Sequence, residues 1–383
     1  MSVVVEQIRT MSELRRFIEL PKRLYASTPQ WVPLFDADYR GFFRNRHPFF
    51  RHARCGFLLA RADHDPAAPP LGRVLMIENA RYNAQHGRRA AHFYFLDFAD
   101  DPEIADALFE AMARWADARG LDELLGPLFT GASLGGGLLV KGFEHAAAMT
   151  MMPYNHAYYV DHYERAGFLK HFDLYSLFID PRSYELPEKV ERLAELARRR
   201  GRMKVLEFTS KAQLRRAARR VAALYNPTLA DHTENYPLTD EELERIIKDL
   251  LQLARPDLEK VITYDGEVVG YMLGFPDVTN ALRRSAGHLT PATIVRVVRE
   301  SRRARRIILN GMGILDRYQR IGGNALIYSE LARTVKHTSL YNFEQAEMVQ
   351  INESTDLMLQ DLRKLGAEVG KIHRVYRAGV TRG

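Results

Sequence analysis

The sequence predicts a mixed α/β protein built from two copies of one domain, each with a mostly antiparallel sheet flanked by helices. The main observation is that Val5–Thr28 returns at Val205–Thr228, with matching Leu-Arg-Arg and Leu-Tyr groups. Both copies have the pattern of a short apolar strand, a Thr or Ser N-cap and an amphipathic helix. A strand led by glycine also recurs, at Gly72 and at Gly270. A chance likeness of two helices is the alternative, but the matches keep their order along the chain, so we interpret it as a duplicated domain rather than a solenoid.

Length and composition fit two globular domains. The chain has 383 residues, of which 46% are hydrophobic. No apolar run approaches the roughly 20 residues of a membrane-spanning helix, and the start, MSVVVEQIRT, does not read as a signal peptide. Cys55 is the only cysteine, which leaves no disulfide framework and no cysteine-based metal site. We therefore expect a cytoplasmic protein without a metal.

The charge of the chain suits an anionic partner. The net charge is +7, and arginines cluster at 198–202, 215–220 and 296–306. Nucleic acid, acidic lipid headgroups and phosphate-rich cofactors all carry the complementary charge. Neither zinc-finger spacing nor an aromatic RNA-binding signature accompanies these clusters, so we expect no nucleic acid. The alternative is that each cluster is simply a solvated helix face.

The first domain is predicted over residues 1–180. Pro21 should kink or break its first helix, and Pro102 suits the first turn of a later one. The glycine-dense stretch from Gly126 to Phe143 is predicted to be a long, functional loop. Strands are predicted at Val3–Ile8, Gly56–Arg61, Arg73–Glu78, His92–Phe98 and Phe172–Ile179, and helices end near Tyr25, Gly120 and Gly167.

The second domain is predicted over residues 181–383. It opens with a charged helix, and its Asp265-Gly266 turn is a hairpin signal. Strands are predicted at Lys204–Phe208, Val261–Tyr264, Val268–Phe275, Ile307–Ile314, Ala346–Asn352 and Lys371–Arg377. Helices are predicted at Pro187–Arg200, Ala212–Tyr225, Asp240–Leu253, Pro291–Arg306, Gly323–His337 and Thr355–Leu365.

The segment Ile307–Glu330 is the most informative for chemistry. An apolar strand runs into Gly322-Gly323 and then into an amphipathic helix. Glycines before a helix N-terminus allow close backbone approach, and the free N–H groups there can hold a phosphate with help from the helix dipole. By itself this turn is weak evidence, because many strand-to-helix turns contain glycine. The segment also lacks the G-x-G-x-x-G pattern of dinucleotide sites.

In the context of the whole chain, this segment resembles a known family. The order of elements resembles the GNAT acyltransferase fold, and the loop Gln319–Asn324 resembles its acyl-CoA pyrophosphate loop, Q/R-x-x-G-x-G/A. The resemblance is closer to one tandem-GNAT group, the bacterial ceramide synthase-like family, and covers nearly the whole chain. The matching pieces are Leu20-Pro21, Leu24-Tyr25, Trp31-Val32-Pro33, 47–53, Gly126-Pro127, 137–143, 153–159, Phe275-Pro276-Asp277, Tyr318-Gln319, Ala346-Glu347-Met348, Lys371, Arg374 and Tyr376.

The resemblance implies an acyl-CoA co-substrate and an amine acceptor, with several departures from the GNAT pattern, among them Thr355 in place of the Asn that usually opens the helix after the fifth strand. Asn324 stands where the loop ends in Gly or Ala, and Leu362 stands where the usual acid tyrosine lies; the first domain has Tyr163 at that place. The first domain also has Asp100-Asp101 in place of a phosphate loop, and carboxylates there would repel a pyrophosphate. The second copy is therefore predicted to bind the CoA, and the first to shape the acceptor pocket. The cofactor-binding residues implied are Gln319, Arg320, Ile321, Gly322, Gly323 and Asn324.

Amide formation requires that an amine lose its proton and that the leaving thiolate be protonated or stabilised. Glu347 is the candidate base, on one face of the fifth strand of the second copy. Tyr159 and Tyr163 are candidate acids or acceptor contacts. For each candidate, core packing, a loop anchor or a surface position is the competing interpretation. The candidate acceptor contacts are Asn155, His156, Tyr158, His86 and Asp277.

We therefore predict an acyl-CoA-dependent N-acyltransferase with a long-chain amino alcohol or sphingoid base as acceptor. One alternative is acetylation of a small soluble amine, and another is a degenerate tandem that binds acyl-CoA without turnover. The segment 291–306 combines apolar residues with six arginines, which is typical of a helix that rests on an anionic membrane surface. Packing of its apolar residues into the second domain is the competing interpretation.

Overall fold

The computed structural model describes residues 2–63, 65, 68–129, 134–228, 234–337 and 341–380. The chain forms two compact units. Unit 1 contains Met1–Leu174, Thr279–Arg296 and Lys371–Gly383, and unit 2 contains Tyr175–Val278 and Val297–Gly370. The units therefore do not follow the halves of the chain, because two later segments belong to unit 1. The functional division between residues 1–180 and 181–383 stays a prediction.

The first 179 residues form both strands and helices. In chain order they are β1 (Val3–Gln7), α1 (Met11–Leu24), α2 (Asp36–Phe43), β2 (Ala53–Ala62), β3 (Gly72–Asn79), α3 (Ala80–His86), β4 (Ala90–Phe98), α4 (Pro102–Asp117), β5 (Glu123–Gly126), β6 (Leu138–Lys141), α5 (Tyr158–Arg165) and β7 (Leu169–Ile179). The predicted glycine-dense loop thus contains a short strand, β6, while its residues 130–133 lie outside the described part of the chain.

The rest of the chain repeats the pattern. It contains α6 (Glu188–Arg199), β8 (Met203–Leu206), α7 (Lys211–Thr228), α8 (Asp240–Leu253), β9 (Lys260–Tyr264), β10 (Glu267–Pro276), α9 (Thr279–Arg284), α10 (Pro291–Ser301), β11 (Arg306–Ile314), α11 (Asp316–Tyr318), α12 (Asn324–His337), β12 (Gln345–Asn352), α13 (Asp356–Lys364) and β13 (Glu368–Gly379). The helix predicted over Pro291–Arg306 therefore ends at Ser301, and residue 306 opens a strand.

The two units have sheets with the same strand pairing. In unit 1, β1, β2, β3 and β4 are antiparallel neighbours in that order, and β5 joins β4 in parallel. In unit 2, β8, β9, β10 and β11 repeat this order, and β12 joins β11 in parallel. The predicted fold class, a duplicated mixed sheet with mostly antiparallel pairing, is confirmed.

The repeated helices begin in the same way in both copies. The Thr10 hydroxyl accepts a hydrogen bond from the Glu13 N–H at 3.2 Å, and the Ser210 hydroxyl accepts one from the Gln213 N–H at 3.3 Å. Both are N-caps that satisfy a donor of the first helical turn. The start of each copy is therefore specified locally by the sequence.

Pro21 was predicted to kink or break the first helix; the break is wrong, because α1 continues through Pro21 to Leu24, and the kink stays a prediction. A proline deprives the carbonyl four residues earlier of its helical hydrogen bond. Here that carbonyl belongs to Phe17, and it accepts a hydrogen bond from Arg73 Nη1 at 2.9 Å. Arg73 is buried and also pairs with Asp97, its Nε lying 2.7 Å from Oδ2. A buried guanidinium thus compensates for the missing donor.

Candidate active site

The predicted pyrophosphate loop lies in unit 2, between β11 and α12. A wide turn over Gln319–Gly323 follows α11, and α12 begins at Asn324. Gly322 has φ = +104°, a left-handed conformation that favours glycine. The first turn of α12 contains no acidic residue. The helix N-terminus therefore carries the positive end of its dipole without a carboxylate of its own to oppose a bound anion.

The loop is held by close packing against its surroundings. A Cβ on Gly322 would lie 3.2 Å from the Ala197 Cβ, and a Cβ on Gly323 would lie 2.9 Å from the Tyr318 carbonyl oxygen. The Gln319 side chain donates to the Ile314 carbonyl at 3.1 Å and to Asp316 at 2.9 Å, so it braces the turn. The side chain of Arg320 lies outside the described residues. Both glycines are thus required by the shape of the turn.

The equivalent position in unit 1 is occupied by a carboxylate. Asp101 is the N-cap of α4, and its Oδ1 accepts a hydrogen bond from the Glu103 N–H at 2.8 Å. The preceding residue, Asp100, pairs with His162 at 2.8 Å. In unit 1, a side-chain anion therefore accepts a hydrogen bond at the N-terminus of α4. The first turn of the equivalent helix in unit 2, α12, contains no acidic residue.

Beside the loop of unit 2, the two parallel strands part. β11 and β12 pair only from Arg306–Gln345 to Leu309–Met348, although both strands continue well beyond that point. A bulge lies on β11 at the same level, since Asn310 and Gly311 together face one residue of β10, and Gly311 has φ = +107°. Glu347 lies in the last paired stretch of β12, one residue before this pairing ends.

Glu347 and Asp277, predicted as base and acceptor contact, are brought together by a residue that the sequence analysis missed. Arg306 Nη1 lies 3.1 Å from Glu347 Oε2, and Arg306 Nε lies 3.0 Å from Asp277 Oδ2. The side chain of Glu347 is fully buried. Arg306 was counted among the surface arginines of 296–306. The structure corrects this, because Arg306 is mostly buried in an ion pair.

The tyrosines predicted as acids lie in the core of unit 1. The Tyr159 hydroxyl accepts from the Phe98 N–H at 2.9 Å and lies 3.3 Å from the Tyr25 hydroxyl. Tyr163 is buried among aromatic rings, with the Tyr376 ring centroid 5.1 Å away. Burial raises the pKa of both hydroxyls well above the usual range, so both stay protonated. Their environment is that of core residues, and a catalytic role for either stays a prediction.

The predicted acceptor contacts of unit 1 are hydrogen-bonded within the fold. Asn155 accepts from the Leu139 N–H at 2.7 Å and donates to the Leu139 carbonyl at 3.1 Å, which anchors β6. Tyr158 donates to the Phe98 carbonyl at 2.6 Å, and burial raises its pKa to about 12. The His156 ring stacks on Tyr25, with centroids 4.8 Å apart.

His86 lies elsewhere in unit 1, in the last turn of α3. Its ring packs on Tyr82 with centroids 4.4 Å apart. This ring contact lies within the helix of His86 itself, whereas Asn155, His156, Tyr158 and Tyr159 share one stretch of chain. A role of His86 toward the acceptor stays a prediction.

The last strand contributes two buried polar side chains to unit 1. Lys371 donates to the Ala146 carbonyl at 3.0 Å, and His373 Nε2 lies 3.1 Å from the Pro153 carbonyl oxygen. Burial and the charge of Lys371 lower the pKa of His373 to about 3, so the ring is neutral at physiological pH. The sequence analysis missed both side chains as buried groups. The alternation that places Lys371, His373 and Val375 on one face of the strand was the pattern that could have identified them.

The described residues contain no group of three or more His, Cys, Asp or Glu side chains placed to hold a metal ion. Within the same part of the chain, no helix is long and apolar enough to cross a membrane.

Comparison with solved structures places this fold among tandem GNAT proteins. The tandem GNAT protein of the clavulanic acid biosynthesis pathway matches over 100% of both chains with a TM-score of 0.57 and 11% identity. A GCN5-related N-acetyltransferase from Sphaerobacter thermophilus matches over 100% of this chain and 96% of its own, with a TM-score of 0.50 and 12% identity. The chain therefore has the fold of tandem GNAT proteins.

Sequence comparison adds relatives of nearly the same length. The chain is 26% identical to the bacterial ceramide synthase of Caulobacter vibrioides (strain NA1000 / CB15N) over 377 residues, which is 96% of this chain and 95% of that protein. It is 24% identical to protein YghO of Escherichia coli (strain K12), over 97% of this chain and 94% of that protein. No family model matches the sequence. The resemblance to the bacterial ceramide synthase-like tandem group is thus confirmed.

Proposed function

We propose that this protein transfers an acyl chain from acyl-CoA to the amine of a long-chain amino alcohol or sphingoid base. The observation that carries the proposal is the Gly322-Gly323 turn, which meets an acid-free helix N-terminus beside strands that part near Glu347. The similarity to the Caulobacter bacterial ceramide synthase supports the lipid acceptor. In this proposal residues 181–383 hold the CoA and residues 1–180 shape the acceptor pocket.

Two roles are assigned to residues of this chain, which are binding of the pyrophosphate and acceptance of a proton from the acceptor. Backbone N–H groups at Ile321–Asn324 bind the pyrophosphate of the acyl-CoA. Glu347 accepts a proton from the ammonium form of the acceptor, directly or through a water, and the resulting amine attacks the thioester carbonyl. The C–N bond forms, the C–S bond breaks, and the CoA thiolate leaves and takes up a proton.

Replacing Glu347 tests the assignment. A positioned general base contributes about 10²–10⁴-fold in rate, so Glu347→Gln should lower kcat for acylation of sphinganine by that order while acyl-CoA affinity stays unchanged. Product formation is followed by mass spectrometry, with acyl-CoA affinity measured by calorimetry. Glu344→Gln is the matched control, because Glu344 lies three positions earlier in an exposed ion pair with Arg305.

The same assay separates the alternatives. Efficient acetylation of a small amine such as spermidine, with no product from sphinganine, would favour a soluble acceptor. Tight acyl-CoA binding without turnover of any amine would favour a degenerate tandem. A loss below about threefold in Glu347→Gln on the true acceptor would make Glu347 a structural residue.

We also propose that α10 brings the protein to an anionic membrane, where such an acceptor dissolves. Three apolar residues of α10 are exposed rather than packed, since Ile294 is 53%, Val295 66% and Val298 48% exposed, and Leu289, just before the helix, is 58% exposed. The helix is anchored instead by the small buried Thr293, whose hydroxyl donates to the His288 carbonyl at 2.8 Å. Exposed arginines accompany the apolar residues, at Arg296, Arg299, Arg302, Arg303 and Arg305. This combination suits an interfacial helix.

Vesicle co-sedimentation tests the membrane proposal. Vesicles containing phosphatidylglycerol should retain the protein at low salt and release it at high salt. The double variant Arg302→Glu/Arg303→Glu should bind at least about tenfold more weakly, since each surface arginine adds roughly 1 kcal/mol of attraction. Arg215→Glu/Arg216→Glu, the same charge change on exposed residues of α7, is the control. Absence of binding at low salt, or equal weakening by both double variants, would contradict a docking role for α10.

A further inference from the structure

The ion-paired arginine of unit 2 is shared between two carboxylates. Arg306 contacts Asp277 through Nε at 3.0 Å and Glu347 through Nη1 at 3.1 Å. The side chains of Arg306 and Asp277 are 14% and 16% exposed, whereas that of Glu347 is 0% exposed. The most deeply buried member of the group is thus the one proposed as the base.

Sheet register brings the three residues together from three strands. Pro276, the last residue of β10, pairs with Ile307, so Asp277 stands beside Arg306, and the Asp277 N–H donates to the Arg306 carbonyl at 2.9 Å. Ile308 of β11 pairs with Glu347 of β12. Residues two apart on a strand share a face, so Arg306 lies on the same face as the Ile308–Glu347 pair.

Burial makes the pairing consequential. A carboxylate removed from water is costly unless it is paired, and a guanidinium can contact two carboxylates through different nitrogens. Two carboxylates share one guanidinium here, so Arg306 orients Glu347 while part of its charge is directed at Asp277. A carboxylate in a one-to-one buried pair would be a weaker proton acceptor, and an unpaired one would hold its proton.

Other charged groups near these strands are engaged elsewhere. Glu344, at the preceding turn, contacts Arg305 at 3.0 Å and Arg182 at 3.5 Å. Glu259 accepts from the Gly274 N–H at 3.3 Å, and burial raises the pKa of its carboxyl well above the usual range. Lys260, which follows it, donates to the Asp257 carbonyl at 3.2 Å.

We infer that Arg306 is a positioning residue for Glu347 and that Asp277 acts as the competing carboxylate that keeps Glu347 available as a base. This inference rests on the proposed function. It assigns Asp277 a role different from the acceptor contact that the sequence suggested. Arg306 and Asp277 act through Glu347, and neither is assigned a contact with the reacting atoms.

The inference predicts opposite effects of two substitutions on the pH dependence of kcat. In Arg306→Gln, the buried Glu347 loses its counter-charge, so the acid limb of the profile should move by about 1–3 pH units to higher pH. At pH 7 kcat should fall about 10–100-fold and recover as the pH rises. In Asp277→Asn, the Arg306 guanidinium is no longer shared with the Asp277 carboxylate, so the acid limb of the profile should move to lower pH. Arg306→Lys, which keeps the charge, should restore most of the activity.

A double variant separates positioning from simple damage to the fold. Because Arg306 acts through Glu347, Arg306→Gln/Glu347→Gln should be no slower than Glu347→Gln alone. Arg202→Gln, which removes an exposed arginine of unit 2 that pairs with Asp265, should leave the profile unchanged. Shifts in the same direction for Arg306→Gln and Asp277→Asn, or fully multiplicative losses in the double variant, would overturn the inference.

A measurement without turnover distinguishes this failure from failure of the proposed function. Carboxyl ¹³C NMR of the protein, with the Glu347 signal assigned by its loss in Glu347→Gln, gives the titration midpoint of that carboxyl directly. The midpoint should rise in Arg306→Gln and fall in Asp277→Asn. A wild-type protein without acyl transfer but with these shifts would contradict the function and leave the electrostatic coupling intact. Unchanged midpoints in both variants would refute the coupling itself.

Discussion

Units 1 and 2 share a strand plan but differ at one helix N-terminus. In both, a bulged strand is followed by a long helix: Phe95 and Leu96 together face Val74 in unit 1, as Asn310 and Gly311 face Leu273 in unit 2. In unit 1 the helix begins with Asp101, whose carboxylate caps it. In unit 2 it begins after Gly322-Gly323, with no acid in its first turn.

The difference shows how a duplicated fold can specialise without changing its architecture. The N-terminal N–H groups of a helix need an acceptor. A side chain of unit 1 supplies one, which stabilises the helix and leaves a negative charge where a pyrophosphate would have to bind. In unit 2 the first turn of α12 contains no acidic side chain, which suits the proposed binding of a pyrophosphate there. A handful of residues between a strand and a helix thus separates a structural copy from a candidate cofactor-binding copy.

The largest effect is expected from a substitution that disrupts the candidate cofactor site of unit 2. Gly322→Val introduces a β-branched side chain at a left-handed position whose Cβ would lie 3.2 Å from Ala197. Acyl-CoA affinity, measured by calorimetry, should fall by about 100-fold or more. Gly366→Val is the control, because Gly366 also has a left-handed φ of +83° in unit 2 but has open space around its Cβ position. Equal affinity in Gly322→Val and the wild type would remove the loop from the cofactor site.

An intermediate effect concerns a buried group that belongs to unit 1. The pKa of His373 in the folded protein is about 3, below its value in an unfolded chain. Between about pH 6.5 and pH 3 the unfolded state binds a proton that the folded state excludes, so the folded state loses stability as the pH falls through this window. The loss should approach roughly 1.4 kcal/mol per pH unit.

Replacing the histidine checks this. His373→Gln should show a flatter dependence of Tm on pH between 6 and 4 than the wild type, measured by differential scanning calorimetry. His145→Gln is the control, because His145 is partly exposed beside Glu144. A wild-type Tm that is constant over this window would contradict the account.

The smallest effect is expected from removing the carboxylate that caps α4 in unit 1. Asp101→Ala removes the N-cap of α4 and should cost about 1 kcal/mol of stability in chemical unfolding. It should not create a second cofactor site, because the turn before α4 lacks the paired glycines. Binding stoichiometry should stay at one acyl-CoA per chain in the wild type and the variant. Two equivalent acyl-CoA sites in either protein would contradict the proposal that residues 181–383 alone bind the CoA.

Much of the fold was predictable because local sequence specifies it. The helix Asp240–Leu253 was predicted with the bounds that the structure has, since the capping box of Thr239 and Glu242 and the apolar period lie within it. The strand–glycine turn–helix order around Gly322 was predictable for the same reason. Short elements such as α3 and β6 were missed, because a stretch of four to seven residues carries too little periodicity.

The candidate site was predicted only in part. Glu347 and Asp277 were both named from the sequence, but their connection through Arg306 was not. Arg306 closes a run of arginines that looks like one surface, but it is mostly buried in an ion pair whereas its neighbour Arg305 is exposed. Strand register, which pairs residues far apart in sequence, decided this.

By itself, then, the sequence determined the duplication, the α/β class, the helix caps and the glycine turn, because each is encoded within a few consecutive residues. Tertiary structure decided that Pro21 sits inside a helix, since the buried Arg73 satisfies the Phe17 carbonyl. It also decided that the chain from Lys371 onward completes unit 1, and that Ile294 and Val295 face outward. These features depend on which distant surfaces meet, and burial energies of that kind are properties of the packed chain rather than of any one segment.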